Sequence, residues 1–284
     1  MVKNYCRQYR GFNMNKIEVK DLKVHFPVRS GFWGKATSFV KAVDGVSFSV
    51  PKGSIYSLVG ESGSGKSTIG NAILGLIPKT SGQIIWDGAD VMASGYKIPL
   101  GQRRLFQMIY QDSHSSLNPR CTIFEILSRP MIFHNICTYK SAKDRVVELL
   151  EQVHLDPDMM KRFPHEFSGG QRQRINIART LAVEPEFIVC DEIVSALDVS
   201  IQAEILYLMQ NIQKEKNLTL LFIGHDLAVV KNISDYIGVM YQGQMEEFGT
   251  PEEIFKNTKS DYTKKLISCV PSLDLENRKR KLKQ

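Results

Sequence analysis

Gly60-Glu61-Ser62-Gly63-Ser64-Gly65-Lys66-Ser67-Thr68 is the stretch on which the reading of this chain turns. It follows a short apolar run, Ser54-Ile55-Tyr56-Ser57-Leu58-Val59, and leads into Ile69-Gly70-Asn71-Ala72-Ile73-Leu74. Strand, glycine-rich turn, then helix is the setting that a phosphate-binding loop requires. The glycines allow successive backbone N–H groups to point inward at a polyphosphate, and the helix adds its positive end. Lys66 reaches the β- and γ-phosphates as a point charge, and the Ser67 hydroxyl suits Mg²⁺. A merely flexible Gly/Ser turn has no reason to keep this spacing and these flanks. A bound nucleoside triphosphate is expected.

Downstream, residues 187–190 and 218–223 are continuous apolar runs, suited to strands buried on both faces. Between them Ile201, Ile205, Leu208 and Ile212 recur at helical spacing. Strands and helices alternating around a phosphate loop predict an α/β core with a parallel sheet. Upstream, residues 17–19, 22–26 and 46–50 alternate as strands do, with a Gly-rich loop at 30–34. The helix after the phosphate loop is expected to run to Pro78, followed by a strand and turn at 84–88. Residues 104–110 read as a further strand that opens into the polar loop 111–116. From about Cys121 to Phe163 the pattern is helical, with Val146, Val147, Leu149, Leu150 and Val153 on one face. A hairpin is expected around Gln242-Gly243, and no internal repeat is visible.

Composition sets outer bounds. With 284 residues, 43% hydrophobic and 24% charged, the chain is long enough for a full core and resembles an ordinary globular protein. No stretch approaches the ~20 apolar residues needed to cross a bilayer. The first ten residues carry positive charge with no apolar segment behind it, so a secretory signal is not expected. The five cysteines, Cys6, Cys121, Cys137, Cys190 and Cys269, form no CxxC pair and an odd count. That favours a reducing cytosol over a disulfide framework or a zinc site. Part of the net charge of +7 lies in Arg278-Lys279-Arg280-Lys281-Leu282-Lys283, a run that reads as solvated and by itself names no partner.

Two further motifs complete a site. Residues 187–192 make a buried strand that ends in Asp191 and Glu192. Side chains alternate along a strand, so the two carboxylates can serve different tasks. Asp191 is expected to hold Mg²⁺, directly or through water, and Glu192 to polarise the attacking water. Phe167-Ser168-Gly169-Gly170-Gln171 precedes a helical stretch and is a second anion-binding device at a helix start. One triphosphate does not need two such loops from one subunit. The second is explained if it serves the nucleotide of a neighbouring copy.

These residues resemble the signature motif of ATP-binding cassette (ABC) proteins. The set appears in that family's order: phosphate loop at 60–68, glutamine loop at Gln111, signature at 168–171, Asp191-Glu192, Ser195-Ala196-Leu197-Asp198, and His225 after Ile223-Gly224. The stretches 110–112, 115–120, 163–170, 195–203 and 262–266 are also similar to the ATPase subunits of oligopeptide, dipeptide and nickel importers. Two departures stand out: Phe167 replaces the usual leucine, and Ile193-Val194 stand where a Pro-Thr pair is common. Many peptide relatives carry a longer cysteine-containing extension. This chain ends soon after Cys269, so an iron–sulfur cluster is not expected and the nickel or short-peptide relatives gain weight.

The resemblance implies a P-loop NTPase core with a parallel sheet, an antiparallel β subdomain and an inserted α-helical subdomain. It divides the chain into a tail at 1–13, the ATPase domain at 14–255 with its helical part at about 112–178, and an extension at 256–284. It further implies ATP hydrolysis with Mg²⁺ in a head-to-tail pair, homo- or heterodimeric. Each ATP would touch Gly60, Glu61, Ser62, Gly63, Ser64, Gly65, Lys66, Ser67 and Thr68 of one subunit and Ser168, Gly169, Gly170 and Gln171 of the other. In the same scheme Glu192 and His225 are catalytic, and Asp198 reaches across the interface. Ser67, Gln111 and Asp191 serve the metal, with Gln107 as the alternative glutamine. An aromatic is expected on adenine: Phe26 by position, Trp33 and Phe39 as alternatives. Transmembrane permease subunits would be direct partners at the cytoplasmic face of the membrane, and an extracytoplasmic solute-binding protein an indirect one. No nucleic acid partner is expected. The competing reading is a non-transport cassette ATPase acting on nucleic acid or the ribosome. A catalytically silent cassette would need a lost Glu or His, and both are present.

Overall fold

The computed structural model describes residues 15–29, 36–91, 98–112 and 115–269. Trp33, the Gly-rich loop at 30–34, the tail at 1–13 and the basic run near the C-terminus lie outside these residues. Among them the chain forms two sheets. The first is antiparallel, in the order β2 (Ala36–Pro51), β1 (Asn15–Arg29), β4 (Ser81–Trp86) and β5 (Ala89–Asp90). The second has the order β10 (Gln244–Gly249), β9 (Tyr236–Tyr241), β3 (Ile55–Val59), β8 (Thr219–Gly224), β7 (Phe187–Asp191) and β6 (Phe106–Ile109). From β9 to β6 every neighbour is parallel, and β10 turns back antiparallel at the edge.

Strand alternation explains the layering. In β7, Phe187 and Val189 join the core shared with the antiparallel sheet, whereas Ile188 and Cys190 join the core under the helical region. β8 divides in the same way, Leu221 and Ile223 to one side and Leu220 and Phe222 to the other. The central strands are thus apolar throughout because both faces are covered. On one side lie the antiparallel sheet and α1 (Lys66–Ile73), and on the other α3 (Ile123–Phe133), α4 (Ala142–Gln152), α5 (Gly169–Leu181) and α6 (Val199–Lys216). α3 begins with a capping box between Thr122 and Glu125. α4 buries Ala142, Val146 and Leu150 at four-residue spacing, with Val147 and Leu149 only half-buried. α7 (Leu227–Ile233), α8 (Pro251–Lys256) and α9 (Asp261–Ser268) complete the described helices.

Three expectations are corrected. α1 stops at Ile73, not at Pro78. Leu76 N–H bonds to the Asn71 carbonyl at 2.9 Å and Gly75 N–H to Ala72 at 3.0 Å, so a Schellman pair closes the helix before the proline acts. The strand expected at 104–110 covers only Phe106–Ile109, because a short turn of helix, α2 (Leu100–Arg103), runs into it and Leu105 N–H is already bonded to Gln102. The strands expected at 17–19 and 22–26 are one strand, β1, which passes through a left-handed residue at Asp21. The expected hairpin forms at Gln242-Gly243, both with positive φ, as a tight turn between twisted strands requires.

Candidate active site

The phosphate loop lies where β3 gives way to α1, at the C-terminal end of the parallel strands, the end at which α/β sheets bind ligands. Gly65 shows why the loop is built of small residues. Its φ is +101°, and a Cβ there would sit 2.2 Å from the Ala42 carbonyl on β2. Lys66 is buried and curls back onto its own loop, donating to the carbonyls of Gly60 at 2.9 Å and Glu61 at 2.8 Å and to Ser64 Oγ at 3.3 Å. Burial lowers its pKa, opposed by the charges of Glu192 and Asp191. The ammonium thus rests on oxygen atoms that a phosphate can replace. Ser62 and Gly63 are exposed, and Thr68 is half-buried in the first turn of α1.

Asp191 follows Phe187 and Val189 in parity onto the α1 side of the sheet, where Ser67 Oγ donates to its Oδ1 at 2.8 Å. Burial raises the pKa of this carboxyl, the Ser67 bond lowers it, and Glu192 adds to the rise. A hydroxyl and a half-buried carboxylate next to a second carboxylate form an all-oxygen donor set short of positive charge, which fits a hard cation. Among the described residues no three His, Cys, Asp or Glu side chains converge as a metal cage.

Glu192 departs from strand geometry. Its φ is +48°, a left-handed conformation costly for a residue with a side chain, although its N–H still bonds to the Ile223 carbonyl at 3.0 Å. The turn swings its carboxylate toward His225, whose Nδ1 lies 3.8 Å from Oε2. The two residues line a cavity of about 60 Å³ with Ser195, Gln202 and Asp226. Gln111 is exposed, and its Nε2 donates to Ser195 Oγ at 3.1 Å. Ser195 Oγ in turn donates to the Glu192 carbonyl at 2.9 Å. This two-bond bridge from the glutamine loop to Glu192 is a role for Ser195 that the spacing did not signal. Gln107, the alternative glutamine, points elsewhere: its Nε2 donates to the Arg103 carbonyl at 2.7 Å and it lines a separate groove.

The signature residues make a helix start. Ser168 caps α5, its Oγ accepting from Gln171 N–H at 3.3 Å, while Gln171 Oε1 accepts from Ser168 N–H at 3.0 Å. Gly170 is pressed against α6: a Cβ there would meet Ile201 Cγ2 at 2.7 Å. Among the described residues no hydrogen bond joins 168–171 to 60–68. Asp198 is the exposed residue preceding α6. Phe167 and Ile193-Val194, the two departures from the usual motif, are buried in the core. Phe26 pairs with Val40 and Pro27 with Phe39 in the β1–β2 ladder, so Phe26 and Phe39 stand on opposite faces and at most one of them can face an adenine.

The ABC transporter family pattern matches residues 43–195. The oligopeptide transport ATP-binding protein AppF of Bacillus subtilis is 50% identical over 256 residues, spanning 90% of this chain and 78% of that protein. The oligopeptide transport ATP-binding protein OppF of Lactococcus lactis (strain IL1403) is 47% identical over 94% of this chain and 85% of its own length. Among solved structures, the dimeric bacterial ABC transporter cassette MJ0796 matches with a TM-score of 0.69 at 26% identity, covering 83% of this chain and 98% of that one. A post-hydrolysis state of the same cassette, bound to ADP and Pi, matches equally well. The chain belongs to the ABC transporter family and is one of its ATPase cassettes.

Proposed function

We propose that this chain is the ATP-hydrolysing subunit of an importer of oligopeptides, seated on the cytoplasmic face of a membrane and working as one of a pair of cassettes. The observation that carries this reading is the separation of two half-sites. The phosphate loop, Asp191, Glu192 and His225 gather at one end of the parallel sheet, while Ser168 and Gln171 at the N-terminus of α5 cap each other and, among the described residues, make no hydrogen bond to the phosphate loop. A second subunit would bring its Ser168–Gln171 helix start against this nucleotide. Both relatives described above are named for oligopeptide transport, which favours peptide over nickel as the cargo.

In this scheme the loop amides and Lys66 hold the β- and γ-phosphates, and Glu192 accepts a hydrogen bond from the attacking water and aligns it. His225 contacts the γ-phosphate from beside Glu192. Mg²⁺ would be held by Ser67 and Asp191, with Gln111 as the further ligand the resemblance implies, and would supply positive charge to the phosphate oxygens. Gln111 reports the occupancy of the site through Ser195 and through the loop it opens.

No helix among the described residues is long and apolar enough to cross a membrane. In this reading the work of closure passes to a membrane subunit. A groove of about 450 Å³ suits that contact. It runs between Leu76 after α1, Gln107 and Tyr110 by β6, Pro130 of α3, and Arg179 of α5. A cytoplasmic helix of a permease subunit would fit there, beside the Gln111 loop. The decisive experiment is to purify the chain with its membrane subunits in vesicles and measure ATP-dependent peptide accumulation. Uptake that requires this chain is expected, and full uptake with the Glu192→Gln variant would refute the reading.

A further inference from the structure

We propose that Tyr262 is a positioning residue for the phosphate loop, acting through the Gly60–Glu61 peptide. This inference rests on the reading of 60–68 as that loop. Both ends of this one peptide plane are held. Its carbonyl accepts from Lys66 Nζ at 2.9 Å, and its N–H donates to Tyr262 Oη at 3.1 Å. A trans peptide is rigid, so fixing the direction of the N–H fixes that of the carbonyl opposite. Rotating the plane breaks both bonds together and frees Lys66 from one of its oxygen partners. The phenol on α9 thereby sets the loop's first turn and the resting place of the lysine that must meet the phosphate.

Tyr262 is itself firmly placed. α9 is capped by Ser260 Oγ, which accepts from Thr263 N–H at 3.3 Å. The segment leading to it is fastened to β10: Thr258 Oγ1 donates to Glu247 at 2.6 Å, Lys259 N–H to Glu247 at 2.9 Å, and Ser260 Oγ to Glu246 at 3.0 Å. Burial pushes the Glu247 carboxyl up, yet the bonds from Thr258 and Lys259 outweigh it and hold the group below the usual range. The Tyr262 ring lies on Tyr241, with centroids 4.3 Å apart. Tyr241 ends β9, and two residues later Gly243 N–H donates to the Ser64 carbonyl at 3.1 Å. One hairpin thus carries two grips on the phosphate loop, one through its own turn and one through the C-terminal helix it supports. Burial raises the Tyr262 phenol, which keeps it neutral as it accepts the Glu61 N–H.

The phenol touches the loop's frame and is placed to affect nucleotide affinity ahead of the chemical step. Tyr262→Phe in the full chain removes one oxygen and keeps the tilted ring contact with Tyr241. Loss of one neutral hydrogen bond is expected to raise the Kd and KM for ATP about threefold to tenfold. kcat is expected to change by less than about twofold, the split that marks lost binding rather than lost transition-state contact. The melting temperature is expected to hold within about 2 °C. Tyr241→Phe, whose hydroxyl meets Gln242 at 3.2 Å and not the loop, is expected to bind ATP like the parent chain. Unchanged ATP affinity in Tyr262→Phe, a fall in kcat with KM intact, or an equal effect from Tyr241→Phe would overturn the proposal. Lys66→Ala separates this from the underlying reading. Normal ATP binding by that variant sinks the phosphate-loop assignment, whereas its loss beside an unaffected Tyr262→Phe sinks the positioning role alone.

Discussion

Ser67 Oγ donates to Asp191 Oδ1 across 2.8 Å, and this bond ties the first turn of α1 to the last residue of β7, 124 positions further along the chain. Both partners are oxygen ligands of the kind Mg²⁺ takes. Asp191→Asn keeps the shape and removes the charge. ATP binding in the presence of a chelator is therefore expected to change by less than about threefold. Hydrolysis at saturating Mg²⁺ is expected to fall by about 10²-fold or more. A metal titration of ATPase activity on the two proteins checks this, and parent-like activity in the variant would remove Asp191 from the metal site.

Glu192 is the one candidate catalytic residue held at positive φ, +48°. The strain is kept in place by the N–H bond to Ile223 on one side and by Ser195 on its carbonyl. Glu192→Gln preserves that backbone and the reach of the side chain but removes the acceptor for the water's proton. Turnover is expected to drop by about 10²-fold or more with ATP still bound. Light scattering on the variant should then show a dimer when ATP is added. A monomer at saturating ATP, with the natural companion subunit present, would contradict the shared site.

How much of this was legible beforehand divides along physical lines. The turn at 60–68 and the start of α5 were readable because each is a local device, with its backbone conformation written in adjacent residues, whereas Glu192, expected to continue the strand from Asp191, turns left-handed at φ +48°. The central strands were readable because burial on both faces leaves an unbroken apolar run. What stayed hidden depends on distant partners. The Ser195 bridge joins the Gln111 loop to the turn that carries Glu192, with Ser195 84 positions beyond Gln111 along the chain, and the Tyr262 contact needs α9 to return to the first turn of the phosphate loop. The end of α1 was misread because Pro78 was the louder signal, while the Schellman bonds at Gly75 had already closed the helix.

Gly170 makes a prediction in two steps. A Cβ there would lie 2.7 Å from Ile201 Cγ2, closer than side chains pack, so α5 and α6 must separate to admit it. Gly170→Ala is expected to cost about 1–3 kcal/mol of stability. It would also displace the helix start offered to the neighbouring nucleotide, lowering ATP hydrolysis. Ile201→Ala opens the space, so the double variant should be less destabilised than the sum of the singles by at least about 0.5 kcal/mol. Denaturant unfolding of the four proteins measures this coupling, and strict additivity would show that the clash is not the cause.

Lys16 supplies the test with a pH signature. Its buried ammonium pairs with Asp87 at 2.6 Å and with Glu186, and sits 5.4 Å from the centre of the Phe106 ring. It joins the antiparallel sheet to the residue just before β7. Both carboxylates are partly exposed, and Asp87 keeps Lys52 at 2.8 Å, so deleting the cation strands no buried charge. Lys16→Met keeps the apolar stem and is expected to cost about 1–2 kcal/mol at pH 7, below the loss for a fully buried pair. Burial raises the Asp87 carboxyl, but the bonds from Lys16 and Lys52 outweigh it and hold the pKa below its ordinary 3.8. A carboxyl lowered by folding contributes stability that is present above its unfolded value and lost as pH falls through its folded one. The gap between parent and variant should therefore be full at pH 7 and shrink below about pH 4. Urea midpoints at the two pH values decide it: a gap that stays constant into acid would mean that Lys16 acts through packing on Phe106 and not through its carboxylates.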